Sequence, residues 1–311
     1  MIELRRLTSR HLGDLLDEET RAWREELDWD LKRSTDLVRR YLDLRGLTGF
    51  ALLEDGVAAG YVYYVLEENK GLIGDLYVAR RLRSWEAENA LLERAVFEIS
   101  SDPRMERVES QLMLMAWTPG RPAPMHARVQ GRNFMRIELR GAAVEEAALR
   151  KVCEIGRWGD AYMDAAARLI PAAYEGHVDA SINDQYRSPE GARKFLHNII
   201  QYPGCGTFAE PASFAAFEPG GGALCGLSLA SVVAPACGHI TQICVAPGSQ
   251  GKGLGHALLL RSLLALRGMG CAAASLTVTS ANQGAVRLYE RIGFRTLRVF
   301  PALLWDDFRP D

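Results

Sequence analysis

The segment that most constrains the fold is residues 243 to 257, ICVAPGSQGKGLGHA. An apolar run ending at Val245 predicts a strand, a glycine-rich turn follows, and the pattern after Gly253 predicts a helix. The start of a helix presents unpaired N–H groups and the positive end of the helix dipole, and glycines let an anion approach the backbone closely. The segment therefore predicts a site that holds an anion such as a pyrophosphate.

Other glycine-rich anion sites have different spacings. The segment contains no GxxxxGK[ST] sequence, which excludes a P-loop. Its strand ends a predicted meander and does not open a βαβ unit with an acidic residue about 20 positions later, which excludes a dinucleotide-binding fold.

The length of 311 residues favours two domains, because a single core usually serves about 100 to 200 residues. Strands and helices alternate in both halves, so each half is expected to be a mixed α/β unit with a mixed sheet. The predicted domains are residues 1–141 and 151–311, joined by an Ala- and Glu-rich linker over residues 142–150.

The two halves share a short sequence repeat. VARRLRSWEAENALL, starting at Val78, matches VAPGSQGKGLGHALL, starting at Val245, without gaps, and both segments follow a predicted strand and open a predicted helix. We interpret this match as a sign of a duplicated domain.

Composition excludes several classes of protein. The 37 basic and 39 acidic residues give a formal charge of -2, with both signs in both halves, so nucleic acid is not an expected partner. No apolar stretch is long enough to span a membrane, and the charged first residues do not resemble a signal sequence, so we expect a cytoplasmic protein without membrane contact. The six cysteines show neither a CxxC pair nor His at ligand spacing, so no metal site is expected and reduced, buried thiols are predicted.

A second motif shows which kind of anion-binding fold the glycine-rich loop belongs to. The loop carries Gln250, Gly253 and Gly255 in the pattern [QR]xxGx[GA], and the later segment SANQGAVRLYERIGF matches NxxAxxLYxxxGF. With both motifs in this order, the second half resembles the GNAT superfamily of N-acetyltransferases, and the first half resembles it only in outline. The resemblance implies two tandem acyl-CoA N-acyltransferase (GNAT) folds and acetyl-CoA as co-substrate.

The resemblance also implies where acetyl-CoA binds. The strand ending at Val245 is expected to splay from the strand Ser275 to Thr279, with the pantetheine arm on the backbone of Ile243 and Val245 and the pyrophosphate on residues 250 to 256. Asn282 is expected to contact the cofactor from the opposite wall. The cofactor-binding residues implied are Ile243, Cys244, Val245, Gln250, Gly251, Lys252, Gly253, Leu254, Gly255, His256, Asn282 and Ala285.

The same resemblance implies direct attack of a neutral amine on the thioester in a ternary complex. Tyr289 stands where the family often places the donor that protonates the departing thiolate. The base is left open: many relatives use a strand Glu or a water chain, whereas this strand offers His239, Thr241 and Gln242, and Gln242 cannot act as a base.

The acceptor pocket is expected between the first two helices of the second half. Polar residues there are the substrate-binding candidates, although capping and turn formation explain them equally well. They are Glu175, His177, Asp184 and Tyr186.

The first half has lost the glycines of the loop. The ungapped match places Arg83 at Gln250, Glu86 at Gly253 and Glu88 at Gly255. Carboxylates there repel a pyrophosphate but complement a helix dipole, so we expect a degenerate GNAT-like domain without a CoA loop. It could shape the acceptor pocket or form a homodimer contact.

The leading hypothesis is an N-acetyltransferase that moves an acetyl or other short acyl group from CoA to a primary amine of a small molecule. Two alternatives remain open at this point: a non-catalytic acyl-CoA sensor that regulates a partner, and an enzyme that acetylates protein or peptide amines.

Overall fold

The computed structural model describes residues 1–121, 123–140 and 153–306. These residues fall into two compact units, one drawn from Met1–Arg132 with Val299–Asp311 and the other from Asn133–Arg298. The predicted linker over residues 142–150, together with residues 141 and 151, lies outside the described residues. The predicted domain boundaries therefore stay predictions.

The first unit combines a sheet with three helices. Its elements are β1 (Ile2–Glu3), α1 (Ser9–Leu27), α2 (Lys32–Asp43), β2 (Gly49–Glu54), β3 (Val57–Glu67), β4 (Lys70–Val78), α3 (Trp85–Ser100), β5 (Arg107–Gln111) and the beginning of β6 (Arg128–Glu138). The strands β1 to β5 lie side by side in chain order, antiparallel except for the parallel pair β4 and β5.

The second unit repeats this alternation with more helices. Its elements are β7 (Glu154–Arg157), α4 (Met163–Tyr174), α5 (Val178–Ile182), α6 (Pro189–Gln201), β8 (Thr207–Phe208), β9 (Phe214–Phe217), β10 (Leu224–Ala234), β11 (Cys237–Val245), α7 (Leu254–Gly268), β12 (Ala273–Thr279), α8 (Gln283–Ile292) and the start of β13 (Arg295–Asp306). The sheet order is β6, β12, β11, β10, β9, β7, and β8 pairs with β10.

The sequence pattern predicts a last strand near Arg295 to Phe300, whereas the observed strand β13 extends to Asp306. Residues 302 to 306 of β13 pair antiparallel with β5 and complete the sheet of the first unit. Asp306 accepts a hydrogen bond of 2.6 Å from Arg107, and the Trp305 indole donates one of 3.1 Å to the Pro124 carbonyl. Residues 302 to 306 are thus part of the fold of the first unit.

The sheet of the second unit is covered on both faces. Successive residues of a strand point to opposite faces, so Leu227 and Leu229 of β10 pack in the core formed with α4 and α6. On the opposite face, Ser228 shares a 2.8 Å hydrogen bond with Ser262 of α7. Gly238 admits α7 closely, since a Cβ there would lie 2.5 Å from a Leu266 methyl.

One parallel strand pair opens in the second unit as the motifs predict. β11 and β12 pair from Cys237 with Ala273 to Ile240 with Leu276, and no pairing follows beyond that point between the two described strands. A bulge at Thr241 accompanies the opening. The first unit has the same arrangement: β4 and β5 pair only as far as Ile73 with Ser110, next to a bulge at Gly74.

No helix among the described residues is long and apolar enough to cross a membrane.

Candidate functional site

The glycine-rich loop joins β11 to the first turn of α7. Gly251 and Gly253 have φ values of +72° and +86°, the left-handed region that favours glycine, and Gly253 is the N-cap of α7. A Cβ on Gly253 would meet nothing within 4 Å, so the backbone conformation and not the available space requires glycine. The left-handed turns direct the chain into α7 with its first turn beside the loop.

The first turn of α7 presents donors that the helix itself does not use. The N–H of Ala257 is the first to bond back, to the Gly253 carbonyl at 3.0 Å, so the N–H groups of Leu254, Gly255 and His256 precede the intrahelical ladder. The side chain of Leu254 is buried and anchors this turn in the core. This local structure is a cradle for an anion.

The loop is braced by its own polar side chains. Gln250 Nε2 donates to the Val245 carbonyl at 3.0 Å, and Lys252 Nζ donates to the Gly248 carbonyl at 2.7 Å. Lys252 is exposed, so its ammonium adds positive charge at the solvent side of the cradle.

The Ile243 and Val245 carbonyls of β11, beyond the bulge, face away from β10 and towards the opening between β11 and β12. Tyr174 Oη donates to the Ile243 carbonyl at 3.3 Å, so this carbonyl is turned away from the β10 ladder. Cys244 points to the core formed with α4 and α6, and burial raises the pKa of its thiol to about 12. Cys244 is therefore a protonated wall residue and not a nucleophile at neutral pH.

Two tyrosines, one at the end of α4 and one in the 3-10 helix after α5, form a wall beside this opening. The rings of Tyr174 and Tyr186 stack with centroids 4.5 Å apart. Tyr186 Oη donates to Gln242 Oε1 at 3.2 Å, and Gln242 Nε2 donates to Tyr174 Oη at 3.4 Å. Burial raises the pKa of Tyr174 well above its usual range, with further contributions from Tyr186, Cys244, Asp179 and Tyr289. The phenol of Tyr174 is thus surrounded by the other polar groups of the site.

His177 and Asn282 are brought together across the site. Asn282 caps α8 through a 3.1 Å hydrogen bond from the Ala285 N–H, and its amide nitrogen lies 3.0 Å from His177 Nε2. His177 Nδ1 accepts from the Asp179 N–H at 3.1 Å, which makes His177 the N-cap of α5. Asp179 is buried and hydrogen-bonded to Thr279, at the end of β12.

The remaining predicted residues lie on three different elements. Tyr289 is buried on α8, with its ring 5.9 Å from Phe294. Glu175 is exposed at the C-cap of α4, and Asp184 starts a 3-10 helix. Sequence reasoning missed Tyr174, Asp179 and Thr279, although the first two flank Glu175 and His177 in one short segment.

His239, one of the residues considered as a base, lies in the paired part of β11 opposite Ser275. Its Nδ1 is 2.9 Å from Ser275 Oγ, and its ring stacks on Phe134. Burial lowers the pKa of His239 to about 3, so the ring is neutral at physiological pH. These contacts favour a structural role.

In the corresponding loop of the first unit, backbone N–H groups are bonded to side chains of the loop and of α1. Ser84 Oγ caps α3 by accepting from the Ala87 N–H at 3.2 Å, and buried Glu88 accepts from the Ala116 N–H at 2.7 Å. Glu18 Oε1 accepts from Tyr77 Oη at 2.9 Å and from the Arg80 N–H at 2.7 Å. Carboxylates thus take up donors on the strand and the loop of this unit.

A family model and related sequences both match acetyltransferases. The sequence model of the acetyltransferase (GNAT) family matches residues 177–294. A mycothiol acetyltransferase of Saccharopolyspora erythraea is 32% identical over 290 residues, covering 85% of this chain and 89% of the relative. The mycothiol acetyltransferase of Mycobacteroides abscessus is 47% identical over 60 residues, which span 19% of this chain and 20% of that relative.

Solved structures share the fold at low sequence identity. A GCN5-related N-acetyltransferase from Sphaerobacter thermophilus has a TM-score of 0.61 at 19% identity, covering 82% of this chain and 79% of its own. A tandem GNAT protein from the clavulanic acid biosynthesis pathway has a TM-score of 0.54 at 15% identity, with 85% and 84% covered.

Proposed function

Because the chain belongs to the GNAT family of acetyltransferases, and is therefore an acyltransferase, we propose that it transfers an acetyl group from acetyl-CoA to a primary amine of a small molecule. The observation that carries the proposal is the anion cradle of α7, where left-handed glycines leave the first N–H groups of the helix free at the end of the opening between β11 and β12.

The described residues fit the chemistry of CoA. Left-handed glycines and the free N–H groups of Leu254, Gly255 and His256 suit a pyrophosphate, and Lys252 adds positive charge. The pantetheine arm carries amides, and the polar backbone of Ile243 and Val245 offers partners for them. Gln250 and Tyr174 hold these two carbonyls here, and a carbonyl oxygen accepts two hydrogen bonds, so both can serve an additional donor.

The residues around the opening supply positioning and a proton. Positioning alone contributes a large part of such a rate enhancement when an amine is held against a thioester carbonyl. Tyr289 is our candidate for the donor that protonates the departing thiolate, and its effect on the pKa of Tyr174 supports its nearness to the opening.

The acceptor is proposed to bind beside the wall of Tyr174 and Tyr186, near His177 and Asp179. A stacked aromatic pair offers apolar surface, and the Asp179 carboxylate offers attraction for a cationic amine. The name of the relatives directs the first choice of acceptor to the unacetylated amine precursor of mycothiol.

We further infer that the first unit does not bind acetyl-CoA. Its α3 is capped internally by Ser84, and the first turn carries Glu86 and Glu88 where the second unit has glycines. Ser84 takes up the Ala87 N–H there, and the exposed carboxylate of Glu86 would repel a pyrophosphate.

Calorimetric titration of acetyl-CoA tests the cofactor site. We expect one site per chain, and loss of binding in a Gly253→Glu, Gly255→Glu double variant that copies the first unit. Two sites per chain, or binding that survives the double change, would show that the cofactor is held elsewhere.

Release of CoA thiol in the presence of amine acceptors tests the reaction. We expect saturable, acceptor-dependent release with the precursor amine of mycothiol or another small amine, and little with a lysine-containing peptide. Tight acetyl-CoA binding without turnover on any small amine would contradict the proposed acceptor class.

A further inference from the structure

Two cysteine thiols meet at the edge of the second unit. Cys225 Sγ lies 3.5 Å from Cys153 Sγ, close to van der Waals contact. Cys225 is buried, whereas Cys153 is half-buried in a bend just before β7. The pair therefore combines one thiol that solvent can reach with one that it cannot.

The buried member of the pair is tied to the candidate cofactor loop. The Cys225 carbonyl accepts the N–H of Ala246 at 2.9 Å, one residue after β11 ends. Both thiols belong to an apolar cluster that includes Val245 and Leu254, the residues on either side of the loop. A displacement of Cys225 is thus transmitted to both ends of the loop.

We propose that Cys153 and Cys225 are an oxidisable pair whose disulfide displaces the loop between β11 and α7 and weakens acetyl-CoA binding. The coupling to acetyl-CoA depends on the proposed function, whereas formation of the disulfide does not.

The chemistry requires an oxidant, for which a peroxide is sufficient. The Cys153 thiolate attacks hydrogen peroxide, an S–O bond forms as the O–O bond breaks, and hydroxide leaves. The Cys225 sulfur then attacks the sulfenic sulfur, forming the S–S bond and releasing the oxygen as water with the Cys225 proton. The balance is two thiols and one peroxide to one disulfide and two waters.

Accessibility sets the order of these steps. Burial raises the pKa of the Cys225 thiol to about 12, and Cys153 adds to the rise. Cys225 is therefore a poor first nucleophile and the resolving thiol of the pair. The accessible Cys153 is the sulfur that meets the oxidant.

Geometry explains why the disulfide moves the backbone. Sulfur atoms must approach from 3.5 Å to about 2.05 Å. β9 lies between β7 and β10, so the disulfide would join the chain just before β7 to a strand that is not its neighbour in the sheet. Closing the remaining distance of about 1.5 Å between the sulfur atoms draws the chain at Cys153 and the chain at Cys225 together.

The test uses the full chain, fully reduced and then treated with hydrogen peroxide. Non-reducing peptide mapping should recover a Cys153–Cys225 cross-linked peptide whose mass is lower by two hydrogen atoms. Acetyl-CoA titration should show a dissociation constant raised about tenfold or more, since a displacement of about 1 Å in a positioning group suffices for such an effect. A dithiol reductant should restore the original value.

Cys153→Ser should abolish both changes, and Cys205→Ser, at another half-buried thiol, should keep both. Cys225→Ala provides a second variant without the cross-link. Absence of the cross-linked peptide would overturn the proposal that Cys153 and Cys225 form a disulfide. A cross-link with unchanged acetyl-CoA affinity would overturn the proposal that the disulfide weakens acetyl-CoA binding. If the reduced protein does not bind acetyl-CoA, both the proposed function and the effect of the disulfide on acetyl-CoA binding are refuted. The peptide map then still decides whether the disulfide forms.

Discussion

The substitution Gly255→Glu separates the stability of α7 from its role as an anion site. Gly255 is the second residue of α7, and a Cβ there would lie 3.6 Å from a Val245 methyl, an ordinary contact. Removing a helical glycine gains about 0.5 to 1 kcal/mol, and a carboxylate in the first turn gains about 0.3 to 1 kcal/mol from the dipole. We expect the free energy of unfolding to rise by about 1 kcal/mol.

Acetyl-CoA affinity should change in the opposite direction. A carboxylate about 5 Å from one phosphate charge is repelled by about 0.8 kcal/mol in water and by about 3 kcal/mol at an effective dielectric constant of 20. An intermediate value of about 2 kcal/mol corresponds to a loss of about 30-fold in affinity. Added salt should reduce this loss, because the site is partly exposed.

Two control variants at Gly255 separate the effect of the negative charge on acetyl-CoA affinity from the effect of the side-chain shape. Gly255→Gln has nearly the same shape without the charge, and Gly255→Ala is allowed by the [QR]xxGx[GA] pattern. Chemical denaturation and calorimetric titration of all three variants give the comparison. Equal affinities for the Glu and Gln variants would refute the electrostatic argument, and an unchanged affinity in the Glu variant would refute the assignment of the loop to the pyrophosphate.

Three further predictions follow from single residues. Tyr289→Phe should lower kcat about tenfold or more with an unchanged dissociation constant for acetyl-CoA, because it removes only the proposed proton donor; equal kcat at every pH would exclude this role. Gly238→Ala should lower the free energy of unfolding by about 1 to 3 kcal/mol, measured by denaturant titration, because its Cβ would lie 2.5 Å from Leu266; Gly248→Ala, whose Cβ meets nothing within 4 Å, is the control. Burial lowers the pKa of His239 to about 3, so the free energy of unfolding should fall by up to about 1.4 kcal/mol per pH unit as the pH drops from about 6.5 towards 3. In denaturant titrations at several pH values, His239→Gln should reduce this dependence of the free energy of unfolding on pH. His197→Gln, at an exposed histidine, is the control and should keep it.

Local sequence signals predicted most elements of the second unit. The sequence pattern predicts a helix around Pro189 to Gln201, and the observed α6 has these ends, because Ser188 caps it and proline occupies its first position. The strand ending at Val245 and the helix after Gly253 are also confirmed, since the left-handed glycines fix the turn between them. Each of these features depends on residues that are near in sequence.

Long-range pairing could not be predicted in the same way. The sequence indicated a last strand ending near Phe300, whereas β13 continues to Asp306 and pairs with β5. That partner lies almost two hundred residues earlier, as the Arg107 to Asp306 hydrogen bond illustrates. Similarly, the sequence predicts no helix for α5, because its five residues, Val178–Ile182, are too few to show helical periodicity.

The polar contacts of the site were predictable only in part. Sequence spacing suggested His177 and Asn282 as separate candidates, one for the acceptor and one for the cofactor, but their 3.0 Å contact depends on the meeting of α5 and α8. Tyr174 was not chosen, because a tyrosine at the end of an amphipathic helix is commonly a core residue. Only the tertiary structure directs its hydroxyl to the Ile243 carbonyl.

The two units together separate what the topology requires from what the ligand requires. Both have a parallel pair that stops after four paired positions, next to a bulge at Gly74 in one unit and at Thr241 in the other. The opening persists in the first unit although Glu18 and Ser84 occupy its donors, so strand splaying is a property of the fold and by itself is poor evidence for a cofactor site. The evidence for acetyl-CoA binding in the second unit therefore depends on residues in which the two units differ, namely the glycines that leave the first N–H groups of α7 free.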